Sequence, residues 1–340
     1  MSEDSDAAAN VTTTVPSQSL SNESVSKTQL AIQSLSSILT TAPPSLFSSI
    51  NSAFSLLHDH EISSQISALL RQPDSGAGDN DLCRWFYDTF QSDYPHLQLV
   101  VLRFLPAIAG LYLSRISLRK PLAGFEAVLL ALYAHETTSR DNQSITVSIP
   151  DLSHPSIYHE SREHAKNNST ELNLGVISPA LEPHGTVRST RRARIVGVAL
   201  ELYYSKIDIM PVESKIEFCE FCEVWSGQDG EMYKELGGVV VENGENQETV
   251  KRDGRIPLPW ELLQPVLRIL GHCILGPKKD DKLFDSAFSA CRSLYARSLH
   301  DINPKAILAF RSLLRLINTS LDPKSAVDYT EPSFSNVITI

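Results

Sequence analysis

Positive charge is in short supply: 30 lysines and arginines face 40 aspartates and glutamates, for a net charge of −10. That balance argues against a general nucleic-acid binder, though it leaves room for a local basic patch. Cysteine is sparse as well. Cys83, Cys219, Cys222, Cys273 and Cys291 are odd in number and scattered, unlike a secreted disulfide framework, and they fit a reducing cytosolic compartment. Long apolar runs are missing. The strongest, "LQLVVLRFLPAIAGLYL" at 97–113, contains Gln98, Arg103 and Pro106. It falls short of a span of ~20 residues and reads as a buried helix. The N-terminus carries Glu3, Asp4 and Asp6 where a signal peptide would be basic, and no apolar segment follows.

Motifs for common chemistries are also lacking. "SGAGDND" begins as G-x-G at Gly76 and Gly78 but has no third glycine, and no Gly-Lys-Ser/Thr, H-R-D, D-F-G or G-x-S-x-G occurs. Cys219-Glu220-Phe221-Cys222 is a lone C-x-x-C. Zinc would need two more ligands, and a redox role would need a thioredoxin-like βαβ setting. The simpler reading is a pair of small apolar residues on a helix shared with Phe218, Phe221 and Trp225.

What is present draws the eye to "SIPDLSHPSIYHESREH", residues 148–164, with three histidines, two glutamates and an aspartate. A zincin helix needs histidines four apart. His159 and His164 are five apart, which sets their rings about 140° apart at ~100° per residue. The reversed His-x-x-Glu-His pattern fails too, and Pro150 and Pro155 oppose a helix. A loop-built metal site from His154, His159 and Glu163 stays open, and with His164 it defines the rival function, a metal-dependent hydrolase. The alternative is an extended segment that presses Ile157 and Tyr158 onto a core. A second concentration, "RSTRRAR", holds Arg188, Arg191, Arg192 and Arg194. Such a cluster suits an anionic lipid, a phosphate or an acidic partner, and so offers a direct lipid-binding adaptor as a further reading. Its bland reading is a solvated helix start, where arginine opposes the helix dipole.

Periodicity predicts an all-α fold, a bundle of nine or ten helices with a minor β-hairpin or short strands. Residues 1–27 are rich in Ser, Thr and Asn and are expected to be disordered. A helical domain should span 28–320, and a loose tail 321–340. Leu46, Phe47, Ile50, Phe54 and Leu57 fall on one stripe. Ile62, Ile66, Leu69 and Leu70 form the next, followed by Trp85, Phe86 and Phe90. Apolar helices follow at about 95–117, kinked by Pro106, and 122–136. "SITVSIP" at 144–150 alternates like a strand. Residues 161–190 read as a surface loop with a brief element near Leu172–Ile177. Further helices are expected from Arg192 to just before Pro211, then over 212–225, 259–275, 281–299 and 304–319. Asn303-Pro304 serves as the last one's N-cap and first residue. Asn243-Gly244 suggests a hairpin within 237–259, a stretch that also suits a mobile loop.

"IPDLSHPSIYHE", 149–160, resembles the signature of the hyccin family. "RFLPAIAGLYL" (103–113) and "FEAVLLALYAHE" (125–136) support the likeness, with weaker echoes in "YYSKIDIMP" (203–211) and "GGVVV" (237–241). The similarity covers roughly residues 55–320. It implies an α-helical, noncatalytic subunit of the plasma-membrane phosphatidylinositol 4-kinase complex, with no cofactor. Its implied partners are a tetratricopeptide-repeat scaffold protein, the lipid kinase catalytic subunit and a palmitoylated membrane-anchoring protein. The implied location is cytoplasmic, recruited peripherally to the plasma membrane through those partners. His154 departs from the basic residue that related sequences tend to carry there. The 242–255 insertion and the N-terminal tail lie outside the shared region. Animal members carry a long disordered C-terminal extension, whose contacts this chain is expected to lack or place elsewhere. Tyr112, Tyr133, Pro155, Ile157, Tyr158, His159, Glu160 and Phe310 are the candidate partner-contacting residues.

Overall fold

The computed structural model describes residues 17–39, 52–92, 94–150, 172–228 and 255–321. Among these residues the chain forms twelve α-helices and one two-stranded antiparallel ribbon. The first seven helices are α1 Ser17–Ile38, α2 Ser52–His58, α3 His60–Arg71, α4 Asp81–Phe90, α5 Pro95–Arg103, α6 Leu105–Arg115 and α7 Ala123–Arg140. The ribbon follows as β1 Ile145–Pro150 and β2 Leu172–Ser178. Then come α8 Arg192–Ser205, α9 Val212–Ser226, α10 Trp260–Leu275, α11 Asp281–His300 and α12 Pro304–Leu321. The all-α expectation holds, with the count raised.

Side-chain caps set many boundaries. Asp59, Asn80 and Asp280 accept hydrogen bonds from the backbone N–H groups of Ile62, Cys83 and Leu283, at the starts of α3, α4 and α11. Each satisfies a donor that a helix start leaves open. Asn303 does the same for α12 through Ala306, with Pro304 as the first helical residue.

Three expectations need correction. The kinked helix over 95–117 is two helices, bent by 45° at Phe104. Pro106 has no N–H to offer the Leu102 carbonyl and its ring crowds that group; the Phe104 N–H instead closes a tight turn on Val101. α1 starts at Ser17, ahead of the domain start read from the periodicity. Buried Thr28, Ile32 and Leu35 anchor this helix, the Trp85 indole donates to the Ala31 carbonyl (2.8 Å), and propagation from an anchored turn needs little apolar content. Phe54 is 51% exposed and rests on the His58 ring, while Leu56 and Leu57 face inward. Finally, α8 stops at Ser205, and the chain turns through Lys206–Met210 before Pro211. The other stripe members Leu46, Phe47 and Ile50, and the Asn243-Gly244 hairpin, lie outside the described residues.

The centre is built by α6 and α8. Leu105–Gly110 and Ile195–Tyr203 are buried without a break, so neither helix shows a polar face. Two glycines set how closely their neighbours approach. A Cβ on Gly110 would lie 2.3 Å from the Phe221 ring of α9, and one on Gly197 would lie 2.5 Å from the Glu261 carbonyl oxygen of α10.

Buried arginines hold the helix ends. Arg103 donates to the carbonyls of Leu57 and Asp59, where α2 gives way to α3. Arg115 reaches three carbonyls at the end of α3, Leu70 (3.2 Å), Arg71 (3.1 Å) and Gln72 (2.9 Å), together with the Ser75 hydroxyl (2.8 Å). Arg297 donates to Ser226 at the end of α9 (3.0 Å), to Ile256 (3.2 Å) and to the Asp301 carboxylate (2.6 Å). Burial lowers the pKa of Arg103 and Arg115, an effect opposed by Glu213 and Asp59 around the first and Asp74 near the second. Arginine's high intrinsic basicity keeps both charged.

Replacing Arg115 by alanine should lower unfolding free energy by roughly 2–4 kcal/mol, since the buried Leu70 carbonyl and the part-buried carbonyls of Arg71 and Gln72 lose a charged donor. Lysine should recover little, because a point charge does not reproduce the planar fork; urea denaturation of both variants checks this. A second expectation concerns acid. Burial alone would raise the Asp301 pKa, but hydrogen bonds from Arg297 and His300 hold it below the usual carboxylate range. Its stabilisation is therefore complete above the unfolded-state value and vanishes as pH falls through the depressed one. In denaturation series across pH, Asp301→Asn should be weaker than the parent near neutrality and should converge with it in acid.

Candidate interaction site

The ribbon leaves the bundle at the end of α7. Asp141 and Asn142 both take left-handed backbone angles (φ 44° and 59°), a conformation these short polar residues tolerate, and they turn the chain out of the helix. β1 then pairs antiparallel with β2, Val147 opposite Gly175 and Ser148 opposite Leu174, with an irregularity between Ile145 and Thr146. Because directly paired residues share a face, Val147 and Ile149 lie on one side, and Leu174 with Val176 on the other. Their exposures are 41, 50, 69 and 60%. Neither strand holds a charged residue. Each strand has the other as its principal neighbour.

A solitary two-stranded ribbon is marginal in water. This one is secured at its base. Ser178 is fully buried and accepts from Arg140 (3.0 Å), whose guanidinium also meets Glu136 and Glu201 at 2.8 Å each. The three charged side chains are 4–12% exposed, so the cluster ties α7, α8 and β2 together in a site nearly closed to water. Beyond it Leu181 is buried, and the Tyr133 hydroxyl donates to the Glu182 carbonyl (3.1 Å).

A cleft of about 330 Å³ opens beside the base, lined by Ile177, Pro179, Arg191, Arg194, Trp260 and Gln264 among others. It divides the arginine cluster read from the sequence. Arg191 pairs with Glu182, and Arg194 donates to the Pro179 carbonyl (3.2 Å). Arg192 is half-buried and acts instead on Tyr112, where burial and Glu126 push the phenol up to about 12 against its pull. Arg188 is exposed. The four do not form one cationic surface.

The structure also revises the candidate contacts. Tyr112, Tyr133 and Phe310 are 0–1% exposed; they are core residues, drawn inward by the burial of α6, α7 and α12. Pro155, Ile157, Tyr158, His159 and Glu160 lie outside the described residues, as do His154, Glu163 and His164. Among the described residues, no group of three or more His, Cys, Asp or Glu converges as a metal site would. The C-x-x-C pair does meet unexpected company: Cys219 and Cys222 of α9 neighbour Cys273 of α10 and Cys291 of α11 in the core. A hydrogen bond with Cys273, then burial, pushes the Cys219 thiol up; burial does the same for Cys222 and Cys291. Protonated, enclosed thiols are poor nucleophiles and poor ligands. Among the described residues no single helix is long and apolar enough to cross a membrane.

The hyccin family model matches residues 48–332. The chain belongs to the hyccin family. The match spans the ribbon and the signature at 149–160 that continues from β1 in sequence, and it leaves the whole of α1 outside. At family level the chain is a noncatalytic subunit with a scaffold role in a phosphatidylinositol 4-kinase complex.

Sequence reasoning read the alternation of β1 correctly but not the exposure of its apolar row. The available signal was the absence of charge from both strands. Replacing Arg140 by methionine should cost roughly 3–5 kcal/mol, because Glu136 and Glu201 would stay buried without a counter-charge. Leu174→Ser and Val176→Ser should each shift stability by no more than about 0.5 kcal/mol. Chemical denaturation of the three variants distinguishes an anchor from a free surface.

Proposed function

We propose that this hyccin-family chain stabilises a phosphatidylinositol 4-kinase complex by docking on a tetratricopeptide-repeat scaffold protein, and that the ribbon is part of the docking face. The scaffold holds the kinase catalytic subunit, and a palmitoylated membrane protein brings the assembly from the cytoplasm to the plasma membrane. The chain thereby supports production of phosphatidylinositol 4-phosphate without making or breaking a covalent bond itself.

One observation carries the docking assignment: an uncharged ribbon with apolar side chains exposed on both faces, fastened at its base by a buried ionic cluster. Water gains nothing from such an element, whereas an apolar groove in a partner would take both faces and leave no charge desolvated. The ribbon alone is too small for an obligate interface, which buries upwards of ~2,000 Å². The signature at 149–160 overlaps the end of β1 in sequence and is proposed as a further part of the contact.

Affinity purification of the full chain tests it. A tetratricopeptide-repeat protein and a lipid kinase should co-elute with the parent. Leu174→Asp combined with Val176→Asp should reduce both at least tenfold, with the melting temperature unchanged. Recovery of neither protein by the parent would remove the complex assignment, and equal recovery by the variant would remove the ribbon from the interface.

A further inference from the structure

The C-terminal helix is chemically unlike the rest of this acidic protein. Across its 18 residues α12 carries Lys305, Arg311 and Arg315 and no acidic residue. Its inner face, Ala306, Phe310, Leu313, Leu314 and Ile317, is buried on the bundle. The outer face sets Leu308 (67% exposed) and Leu316 (54%) among the three exposed cations.

Two neighbours extend this face. Ile302, just before the helix, is 81% exposed and held at φ 51°. A β-branched residue at positive φ is strained, and packing does not explain an isoleucine directed into solvent. On the other side, the Lys305 ammonium lies 5.9 Å from the ring centre of Trp260. Trp260 is 38% exposed, whereas Trp85 and Trp225 are at most 4% exposed. On the N-terminal side of the helix the nearest acid in sequence, Asp301, is occupied by Arg297, Arg255 and His300, and Asp322 follows its last residue.

The geometry points to direct contact between this face and an anionic phospholipid surface. Large apolar side chains separated by cations, with a tryptophan at the edge, is the composition of a helix lying in a membrane interface. There, Leu308, Leu316 and Ile302 enter the acyl boundary while Lys305 and Arg311 remain level with the phosphates. A protein groove fits less well, because burying the leucines would also strip water from the interleaved cations. The assignment is independent of the ribbon and of any protein partner.

The full chain is mixed with phosphatidylcholine vesicles and with vesicles rich in phosphatidylserine, then separated by flotation. It should float with the anionic vesicles alone, and less so as salt shortens the reach of the charges. Trp260 emission should shift to the blue and be quenched by brominated acyl chains; Trp260→Phe should abolish that signal. Each surface charge contributes about fivefold, so Lys305→Glu with Arg311→Glu should weaken binding at least ~25-fold while its thermal melt matches the parent. Failure of the parent to float at low salt would overturn the assignment, as would equal flotation of the double variant. Loss of co-purifying proteins by that variant, with lipid binding intact, would make the face a protein interface instead.

Discussion

Helix ends are the costly feature of an all-helical core, and in this protein buried guanidinium groups make them tolerable. The C-terminal end of every helix leaves carbonyl groups without intrahelical partners, and a bundle assembled from short helices must enclose several of them. Arg103, Arg115 and Arg297 each carry a forked donor from one helix to the terminal carbonyls of another segment. The arrangement also places positive charge where the helix dipole is negative. Arg115 fixes where α3 stops, Arg103 fixes the elbow from α2 to α3, and Arg297 joins α9 to the segment entering α10. Without these clamps, α6 and α8 would lack the fixed neighbours that bury them on all sides.

Much of this architecture is legible in the sequence because it obeys local rules. The bounds of α9 through α12 follow from apolar period and from caps such as Asn303-Pro304, which need no knowledge of the rest of the chain. The break at Phe104 is half legible. Pro106 announces a disturbance, but its placement depends on which carbonyl the ring excludes. The clamps themselves are hidden. An arginine inside an apolar run, as Arg103 is, reads as an interruption, since the carbonyls it serves are more than forty residues away. Tyr112, Tyr133 and Phe310 illustrate the converse error. Large aromatics suit interfaces and cores equally, and only the crowding of α6, α7 and α12 assigns them to the core.

The site was partly readable for the same reason. Alternation gave β1, and the brief element near Leu172 gave β2, but pairing across the intervening residues is a nonlocal fact. The direction of the apolar rows is nonlocal as well. Alternating Ile145, Val147 and Ile149 would ordinarily imply one face on a core and one in water. Here both faces carry apolar residues, and among the ribbon residues whose burial is described the one enclosed is Ser178. The arginine cluster misleads in a different way: adjacency in sequence suggests one patch, yet the turn into α8 sends Arg192 inward and leaves Arg191 and Arg194 beside the ribbon's base.

The two outward surfaces follow different physics, and the difference bears on how a noncatalytic subunit works. The ribbon is neutral, so its attraction to a partner is insensitive to salt and rests on shape and buried area. α12 is cationic, so its attraction is long-ranged, salt-sensitive and weakly selective. Trp260 stands between them, lining the cleft beside Ile177 and lying under Lys305. In the proposed roles, one surface grips a protein and the other meets membrane charge, which would contribute orientation as well as stability.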